Sequence, residues 1–473
     1  MKQAKTFLIL FLAVAAHVLW AQQRLAFSNG KFKIAQFTDI HWDARSANCT
    51  QTEATIRAVI EAEKPRLAVL TGDIVTEKPA LEGWKSIIRI FETARLPFVV
   101  TMGNHDAEAM PKQAIYRLLI QSPYYVGTRG PEQVSGFGNC IIPICATEAH
   151  ISKTEALLYC IDSNDYQPVK EYGAYDWIHF DEIAWYRNES AKYTQSNGGK
   201  PLPALAFFHI PLLEYNNVVA GNDYLGSYGD GEVCSSMINS GMFASFIDCK
   251  DVMGVFCGHD HENDFVGMER GIALGYGRVS GWDAYGNMER GCRIIELYQG
   301  QRKFNTWVRT PHAKGDTFYY PSALTSKEEQ NMTYLPAKNC NPNRQGVAFT
   351  YYEGTCKHTK DIVSMQKKEQ GIMQNFSIAH AKQADHFGYV FRTLIKIDQR
   401  GVYRFYTYSD DGTKLLIDNT VVVDNDGGHS ARRADGKVAL EAGYHELELR
   451  YFEDYMGQAL EVGYSGRDIM ETV

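Results

Sequence analysis

Short apolar runs rich in Val, Ile and Phe recur through the first 310 residues of the chain. Between several of them lie helix-like segments, 52–64 and 80–94, whose apolar residues are spaced at three and four positions. Strands that alternate with helices are typical of an α/β fold. We therefore predict an α/β domain over residues 27–310. The strand-length runs cover residues 31–41, 66–75, 96–106, 157–163, 204–211 and 252–261.

The pattern changes after about residue 312. Residues 311–344 are polar and rich in turn-forming residues, which predicts a linker. From about residue 345 the apolar residues alternate with a period of two, and in 445–452 this places Leu447, Leu449 and Tyr451 on one face. The alternation predicts an all-β sandwich or barrel over residues 345–467.

The N-terminus has the pattern of a secretory signal. Lys2 and Lys5 precede an apolar run from Phe7 to about Ala21, which is short for a membrane span. We predict a cleaved signal peptide over residues 1–21, export to a periplasm or to the outside, and no transmembrane span in the mature chain. The alternative is an uncleaved anchor helix.

Composition narrows the classes of partner. A chain of 473 residues is longer than one typical core requires, so two domains are expected. The formal net charge of −8 argues against a protein that binds nucleic acid through broad electrostatics, and no duplex binding is expected.

Ten cysteines in an exported chain permit disulfides. Cys140 with Cys145, and Cys340 with Cys356, are close enough in sequence to pair. Cys160 and Cys257 stand inside apolar runs, which predicts buried thiols.

Metal-competent side chains follow five of the six strand-like runs. Strand ends meet at one edge of an α/β sheet, so these residues are expected to converge. Carboxylates, imidazoles and one amide suit Mn, Fe or Zn, and a set of this size is larger than one ion needs. A pair of such ions is the usual device for in-line attack on phosphorus. Considered individually, His209 could be a histidine of the hydrophobic core, and Asp106 could cap the following helix. The set comprises Asp39, His41, Asp73, Asn104, His209, His259 and His261.

The same motifs resemble, in order, the five sequence blocks of calcineurin-like metallophosphoesterases. The blocks read DIH (39–41), GD (72–73), GNHD (103–106), a lone His209 and GHDH (258–261). The resemblance implies a four-layer α/β sandwich with two mixed sheets.

It also implies the role of each residue. Asp39, His41 and His261 would bind the first ion; Asp73 would bridge; Asn104, His209 and His259 would bind the second. His105 would donate a hydrogen bond or a proton to the phosphoryl or leaving-group oxygen, and Asp106 would orient His105.

The activity implied is hydrolysis of phosphomonoesters by a metal-bridging hydroxide. One alternative is a phosphodiesterase acting on nucleotides or lipid headgroups; a second is a non-catalytic glycan-binding surface protein.

The GDIVTE segment lacks the tyrosine of purple acid phosphatases, while HIP (209–211) and YGR (276–278) are similar to the Dcr2-type branch. Arg278 is a candidate phosphate ligand, although it could instead pair with a surface carboxylate. Tyr276 and Trp282 are candidates for lining the pocket or for simple packing.

The C-terminal run at 403–429, together with 451–464, resembles PA14 domains. In sugar-binding members of that family, paired aspartates bind a Ca²⁺ ion that in turn holds a glycan. The resemblance makes Asp410 and Asp411 candidate calcium ligands, for which oxygen donors are suited. The alternative is that Asp-Asp-Gly only forms a tight turn.

Overall fold

The structure, a computed structural model, describes residues 25–147 and 153–472. The chain forms two compact units that divide between Phe318 and Tyr319. The predicted signal peptide, residues 1–21, lies outside the described residues. Within them, no helix is both long enough and apolar enough to cross a bilayer.

The first unit alternates strands and helices. Its helices are Cys49–Glu63, Ala80–Ala94, Asp106–Ala109, Lys112–Leu119, Phe180–Ser196, Tyr215–Gly221 and Met242–Cys249. Its strands are β1 (Lys31–Thr38), β2 (Leu67–Thr71), β3 (Phe98–Thr101), β4 (Cys140–Cys145), β5 (Thr154–Cys160), β6 (Ala204–Phe207), β7 (Tyr224–Leu225), β8 (Val252–Cys257), β9 (Val266–Glu269), β10 (Ile272–Tyr276), β11 (Arg278–Val279), β12 (Cys292–Tyr298) and β13 (Phe304–Arg309).

These strands form two mixed sheets. One runs β13-β12-β1-β2-β3, with β11 also paired to β1, and its β1, β2 and β3 are parallel. The other runs β4-β5-β6-β8-β10-β9-β7, with β5, β6, β8 and β10 parallel. The parallel strands are buried along their length, as a sheet covered on both faces requires.

Helices cover the outer face of each sheet. The helix Ala80–Ala94 buries Trp84, Ile87, Ile88 and Phe91, which recur at helical spacing and pack in one core with residues of β1 to β3. Burying each such side chain stabilises the fold by roughly 1.5–3 kcal/mol. A second core joins the other sheet to helices Phe180–Ser196, Tyr215–Gly221 and Met242–Cys249.

The inner faces of the two sheets pack on each other. Phe256 of β8 meets Phe304 of β13 edge-on, with ring centroids 5.8 Å apart. The four-layer α/β sandwich with two mixed sheets is confirmed.

The second unit is mostly strands. They are β15 (Leu324–Thr325), β16 (Tyr334–Leu335), β17 (Val347–Glu353), β18 (Gln366–Met373), β19 (Phe387–Ile397), β20 (Gly401–Asp410), β21 (Thr413–Ile417), β22 (Thr420–Asn425), β23 (Arg432–Leu440), β24 (Gly443–Glu453), β25 (Ala459–Gly466) and β26 (Ile469–Thr472). The strand β14 (Phe318–Tyr320) spans the division between the units.

Two sheets of the second unit enclose one core. Their orders are β16-β23-β20-β25-β26 and β18-β17-β19-β24-β21-β22, antiparallel except for the pair β16 and β23. Leu447, Leu449 and Tyr451 of β24 all point into this core. The predicted β-sandwich is confirmed.

The segment 311–344, predicted to be a linker, contains short strands and a helix in its central part. Residues 326–331 form a short helix that Thr325 caps, because the Thr325 hydroxyl accepts from the Glu328 N–H and the Glu328 carboxylate accepts from the Thr325 N–H. Leu324 is fully buried against residues of the second unit. The segment therefore folds as part of that unit, and its runs are too short for the period-two pattern to reveal.

The cysteines also differ from expectation. Cys140 and Cys145 are the first and last residues of β4, so an extended strand holds them apart. Cys140 instead lies directly opposite Cys160 on β5. Cys340 and Cys356 are free thiols, one exposed and one buried. Cys160 and Cys257 are buried, as predicted.

Candidate metal centre

The seven predicted ligands stand in loops that leave five strands. Asp39 and His41 follow β1, Asp73 follows β2, Asn104 follows β3, His209 follows β6, and His259 and His261 follow β8. Only His41 is partly exposed; the other six are buried. The two sheets thus direct their strand ends to one buried site, as the general rule for α/β sheets predicts.

Asp39, His41 and His261 form one cluster. One ligand atom from each lies within 4.8 Å of the others. His261 Nε2 is 3.4 Å from Asp39 Oδ1, and the His41 and His261 rings meet edge-on with centroids 4.8 Å apart. Two imidazoles and a carboxylate are an ordinary donor set for a transition metal.

Asp73, His209 and His259 form a second cluster of the same size. His209 Nε2 is 3.2 Å from Asp73 Oδ2 and 3.2 Å from His259 Nδ1. Two ring nitrogens and a carboxylate oxygen therefore face a common point.

Asp73 joins the two clusters. Its Oδ2 lies 3.2 Å from His209 Nε2 and 3.7 Å from His41 Nε2, so one oxygen faces a histidine of each cluster. Its other oxygen accepts a hydrogen bond from the His105 N–H at 2.9 Å. Asp73 therefore lies between the two clusters and contacts a histidine of each.

Unpaired buried atoms show that the site suits a cation. His41 Nε2 and Asn104 Oδ1 are buried and have no hydrogen-bond partner among the described residues. An unsatisfied buried polar group costs about 1–3 kcal/mol. Lone pairs aimed at one buried space fit a metal ion that accepts nitrogen and oxygen ligands.

Backbone contacts orient the ligands. His209 Nδ1 hydrogen-bonds the Thr71 carbonyl at 2.8 Å, which turns Nε2 toward Asp73 and His259. A Cβ at Gly103 would collide with the Asp73 carboxylate, and one at Gly72 would collide with the His209 ring. The glycines of the GD and GN pairs are therefore needed for the loops to approach so closely.

Four of the ligands have left-handed backbones. The φ angles are 51° at Asp39, 45° at His41, 52° at Asp73 and 84° at His259. This conformation costs a residue other than glycine roughly 1–2 kcal/mol. Such costs gather at functional sites, where the surrounding fold holds the chain in place.

The charges around the cluster favour neutral imidazoles at His41 and His259 but a protonated imidazole at His209. Burial lowers the pKa of His41 to about 4 and that of His259 to about 3. Burial opposes charge on His209 as well, but Asp73 and Asp39 raise its pKa to about 10. Neutral imidazoles and ionised carboxylates are the forms that bind metals.

The second unit holds a separate group of acids. Asp410 and Asp411, at the end of β20, lie with Glu453 of β24 so that one oxygen of each is within 4.8 Å of the others. The sequence analysis did not identify Glu453. Its signal was weak, because a single glutamate at the end of a distant strand has no spacing to mark it.

These carboxylates are partly satisfied by the backbone. Asp411 accepts from the N–H groups of His429 (2.7 Å) and Asp454 (2.9 Å). Glu453 Oε1 is buried with no partner among the described residues, and burial, Asp411 and Asp410 raise the Glu453 pKa to about 8. Three crowded acids with one unpaired oxygen fit a hard cation such as Ca²⁺.

Comparisons with known proteins match both units. The family model "Calcineurin-like phosphoesterase" matches residues 32–263. A relative from Arabidopsis thaliana, "Probable inactive purple acid phosphatase 29", is 33% identical over 60% of this chain and 82% of its own length. The chain belongs to the calcineurin-like phosphoesterase family. "Phosphatase DCR2" of Saccharomyces cerevisiae is 28% identical over 66% of this chain and 59% of that protein. The model "PA14 domain" matches residues 343–473, so the phosphoesterase domain is followed by a PA14 domain.

Asp106 of this phosphoesterase contacts the backbone of two ligand-bearing loops. Its buried carboxylate accepts four backbone hydrogen bonds, from the N–H groups of Asp73, Ile74, Val75 and Gly103, at 2.8–3.1 Å. The carboxylate therefore holds together the loops that carry Asp73 and Asn104.

His105 lies at the mouth of the site. Its side chain is 37% exposed, and its Nδ1 is 3.1 Å from Glu108 Oε1. Both ring nitrogens are 3.3 Å from the Tyr166 hydroxyl. The sequence analysis missed Glu108 and Tyr166. Glu108 stands three positions after His105 on one helical turn. Tyr166 follows β5, the strand from whose run no ligand was predicted.

The Arg278 guanidinium is engaged by partners within the protein. Its guanidinium pairs with Asp264 and donates to the Glu289 carbonyl (2.8 Å). Asp264 is buried, so the alternative of an ion pair is correct except that the carboxylate is not on the surface. Tyr276 is buried and donates to Asp260 at 2.6 Å, which makes it a packing residue. Trp282 is 40% exposed and donates to the Thr55 hydroxyl at 3.0 Å.

Proposed function

We propose that this protein is an exported phosphatase that hydrolyses phosphomonoesters at a dinuclear transition-metal site. The observation that carries the proposal is the position of Asp73, whose Oδ2 faces His41 of one ligand cluster and His209 of the other. Mn, Fe and Zn all accept this donor set.

Each residue of the candidate site has a proposed role. Asp39, His41 and His261 would hold one ion; Asn104, His209 and His259 would hold the other; Asp73 would contact both. Bound ions of this kind supply Lewis-acid charge at the phosphoryl group and a nucleophile near neutral pH. His105 would donate a proton to the leaving-group oxygen, with Glu108 stabilising the protonated ring. Asp106 would hold the Asp73 loop in position by accepting the hydrogen bond of the Asp73 N–H.

Two alternatives are tested with the same protein. A phosphodiesterase uses the same metal pair, whereas the name "Phosphatase DCR2" of a relative supports monoesters. A non-catalytic glycan-binding protein is the other alternative, and other relatives carry the name "Probable inactive purple acid phosphatase". The complete ligand set and His105 support activity in this chain.

The deciding experiment measures metal content and turnover together. Elemental analysis of the purified mature protein should find about two transition-metal ions per chain. Turnover of p-nitrophenyl phosphate should be lost on chelation, restored by Mn, Fe or Zn, and faster than turnover of bis-p-nitrophenyl phosphate. A preference for the diester would favour the phosphodiesterase. Absence of both metal and turnover after reconstitution would contradict the hydrolase.

Export is part of the proposal. It rests on the two lysines and the apolar run of residues 1–21. N-terminal sequencing of the protein recovered from a host that secretes it should begin shortly after Ala21. A full-length N-terminus in the soluble cell extract would contradict export.

We further propose that the PA14 domain binds Ca²⁺ and, through it, a glycan. Asp410, Asp411 and Glu453 support this, because three carboxylates with one unpaired oxygen form an acidic pocket for a hard cation. A glycan array probed with and without Ca²⁺ should show binding that depends on Ca²⁺. Equal signals in both conditions would contradict the proposal.

A further inference from the structure

Tyr166 lies between a proposed metal ligand and the proposed proton donor. Its hydroxyl is 2.9 Å from Asn104 Nδ2 and 3.3 Å from either ring nitrogen of His105. Its side chain is 43% exposed, so packing alone does not account for its position.

The hydrogen-bonding capacity of the two side chains restricts their arrangement. An asparagine that binds a metal does so through Oδ1, which leaves its NH₂ group as a donor only. Asn104 Oδ1 is buried without a partner, while Asn104 Nδ2 faces the Tyr166 oxygen. Tyr166 is therefore the acceptor in this contact, and its own hydrogen is left for another acceptor. That hydrogen is donated to the Glu108 carboxylate, with which Tyr166 also forms a side-chain hydrogen bond. The second lone pair of the Tyr166 oxygen can accept from a ring N–H of His105 at 3.3 Å.

The Asn104 amide would be less constrained without this contact. Its oxygen and nitrogen have nearly the same shape, so rotation by half a turn would point NH₂ at the metal. Such a rotamer removes a ligand and brings a donor toward a cation.

The Tyr166 ring is itself held in place. It stacks on Tyr175 with centroids 6.0 Å apart, and Tyr175 meets the ring of His259 edge-on at 4.4 Å. A backbone bridge joins Tyr166 and Tyr175 as well. The hydroxyl is thus positioned before any ligand arrives, which lowers the cost of ordering it.

We infer that Tyr166 is a positioning residue of the metal centre: it fixes the Asn104 amide with Oδ1 toward the metal and hydrogen-bonds His105. This inference rests on the proposed dinuclear site. Groups that orient metal ligands typically change metal affinity by 10- to 100-fold when removed.

The test is a double-mutant cycle on the metal-free mature protein. Calorimetric titration with Mn²⁺ should show that Tyr166→Phe weakens one of two binding events by about 10-fold or more and leaves the other unchanged. Tyr172→Phe is the matched control, because it removes a hydroxyl from an exposed tyrosine outside the site. It should leave both affinities unchanged.

Asn104→Asp provides the second background. A carboxylate has no NH₂ group to misplace, so Tyr166→Phe should have no further effect on Mn²⁺ affinity in that variant. In the natural background, kcat for p-nitrophenyl phosphate should fall while KM stays within about twofold, as loss of an interaction with the proton donor predicts.

The outcomes separate the two proposals. Equal weakening by Tyr166→Phe in both backgrounds, or none in either, would overturn the role of Tyr166 while leaving the dinuclear site intact. Failure of the unmodified protein to bind a second Mn²⁺ ion would overturn the dinuclear site itself and with it this inference.

Discussion

The two candidate metal sites of this protein differ in their donor atoms and in the segments that supply them. The phosphoesterase centre combines four imidazoles, two carboxylates and an amide from loops after five strands. The cluster in the PA14 domain has three carboxylates from the end of β20 and from β24. Nitrogen-rich sets select transition metals, whereas oxygen-only sets select Ca²⁺. The two clusters are therefore expected to bind different ions without competition.

The sites also differ in backbone cost. Asp39, His41, Asp73 and His259 are all held at positive φ. None of Asp410, Asp411 and Glu453 is among the positive-φ residues of the described chain. Strain at the first site requires a large packed fold to hold it, and two sheets with outer helices provide that.

The largest expected effect comes from Asp73→Asn. The amide halves the acceptor capacity between the clusters and removes the negative charge that both ions need, so p-nitrophenyl phosphate turnover should fall below detection. Elemental analysis should find fewer than two ions per chain. Asp248→Asn, a change at an exposed carboxylate paired with Arg187, is the control and should keep both metal and activity. Two retained ions in Asp73→Asn would contradict the bridging role.

A smaller effect is expected from His105→Ala. The variant should retain two ions, because the ring is not among the ligands, but lose about 100-fold or more in kcat through loss of proton donation. His179→Ala removes a comparably exposed histidine elsewhere and should retain activity. Activity equal to that of the unmodified protein in His105→Ala would leave the ring without a catalytic role.

Asp106→Asn should affect metal binding and stability together. The amide turns an NH₂ group toward N–H groups that the carboxylate accepts, and each unsatisfied buried group costs about 1–3 kcal/mol. The midpoint of urea unfolding should fall, and Mn²⁺ affinity should fall by about 10-fold as the Asp73 loop loosens.

Asp251→Asn is the control that separates a loss of stability from a loss of Mn²⁺ affinity. Asp251 is also buried and accepts the hydroxyls of Tyr159 and Tyr186 at 2.8 and 2.6 Å. The Asp251→Asn variant should be less stable than the unmodified protein but should bind Mn²⁺ with the same affinity. Unchanged metal affinity in Asp106→Asn would mean that the carboxylate serves only the fold.

The smallest effect on hydrolysis is expected from Glu453→Gln. Turnover should be unchanged, while Ca²⁺ affinity by calorimetry should fall by about 10-fold because one charged ligand is lost. Glu441→Gln, at a more exposed glutamate of the same domain, should keep Ca²⁺ affinity. A change in hydrolysis with Glu453→Gln would contradict the independence of the two sites.

Much of this could be predicted from the sequence. The alternation of apolar runs and amphipathic segments predicted the α/β unit. It could do so because the buried positions of a strand or helix recur along the sequence with the period of that element. Period-two alternation determined the sandwich in the same way. Gly followed by Asp, Asn or His at strand ends marked the metal centre, since only glycine permits the close approach at positions such as Gly103.

Only the tertiary structure decided the contacts between distant segments. Glu453 joins Asp410 and Asp411 across two strands, and Tyr166 reaches Asn104 from another loop, at separations that no local period records. The neighbours of Asp106 and Arg278 were likewise decided by packing, because each side chain could satisfy its charge in several ways until the fold brought one partner within reach. Local periodicity fixes which elements form; the choice of partner for a charged side chain depends on the whole fold.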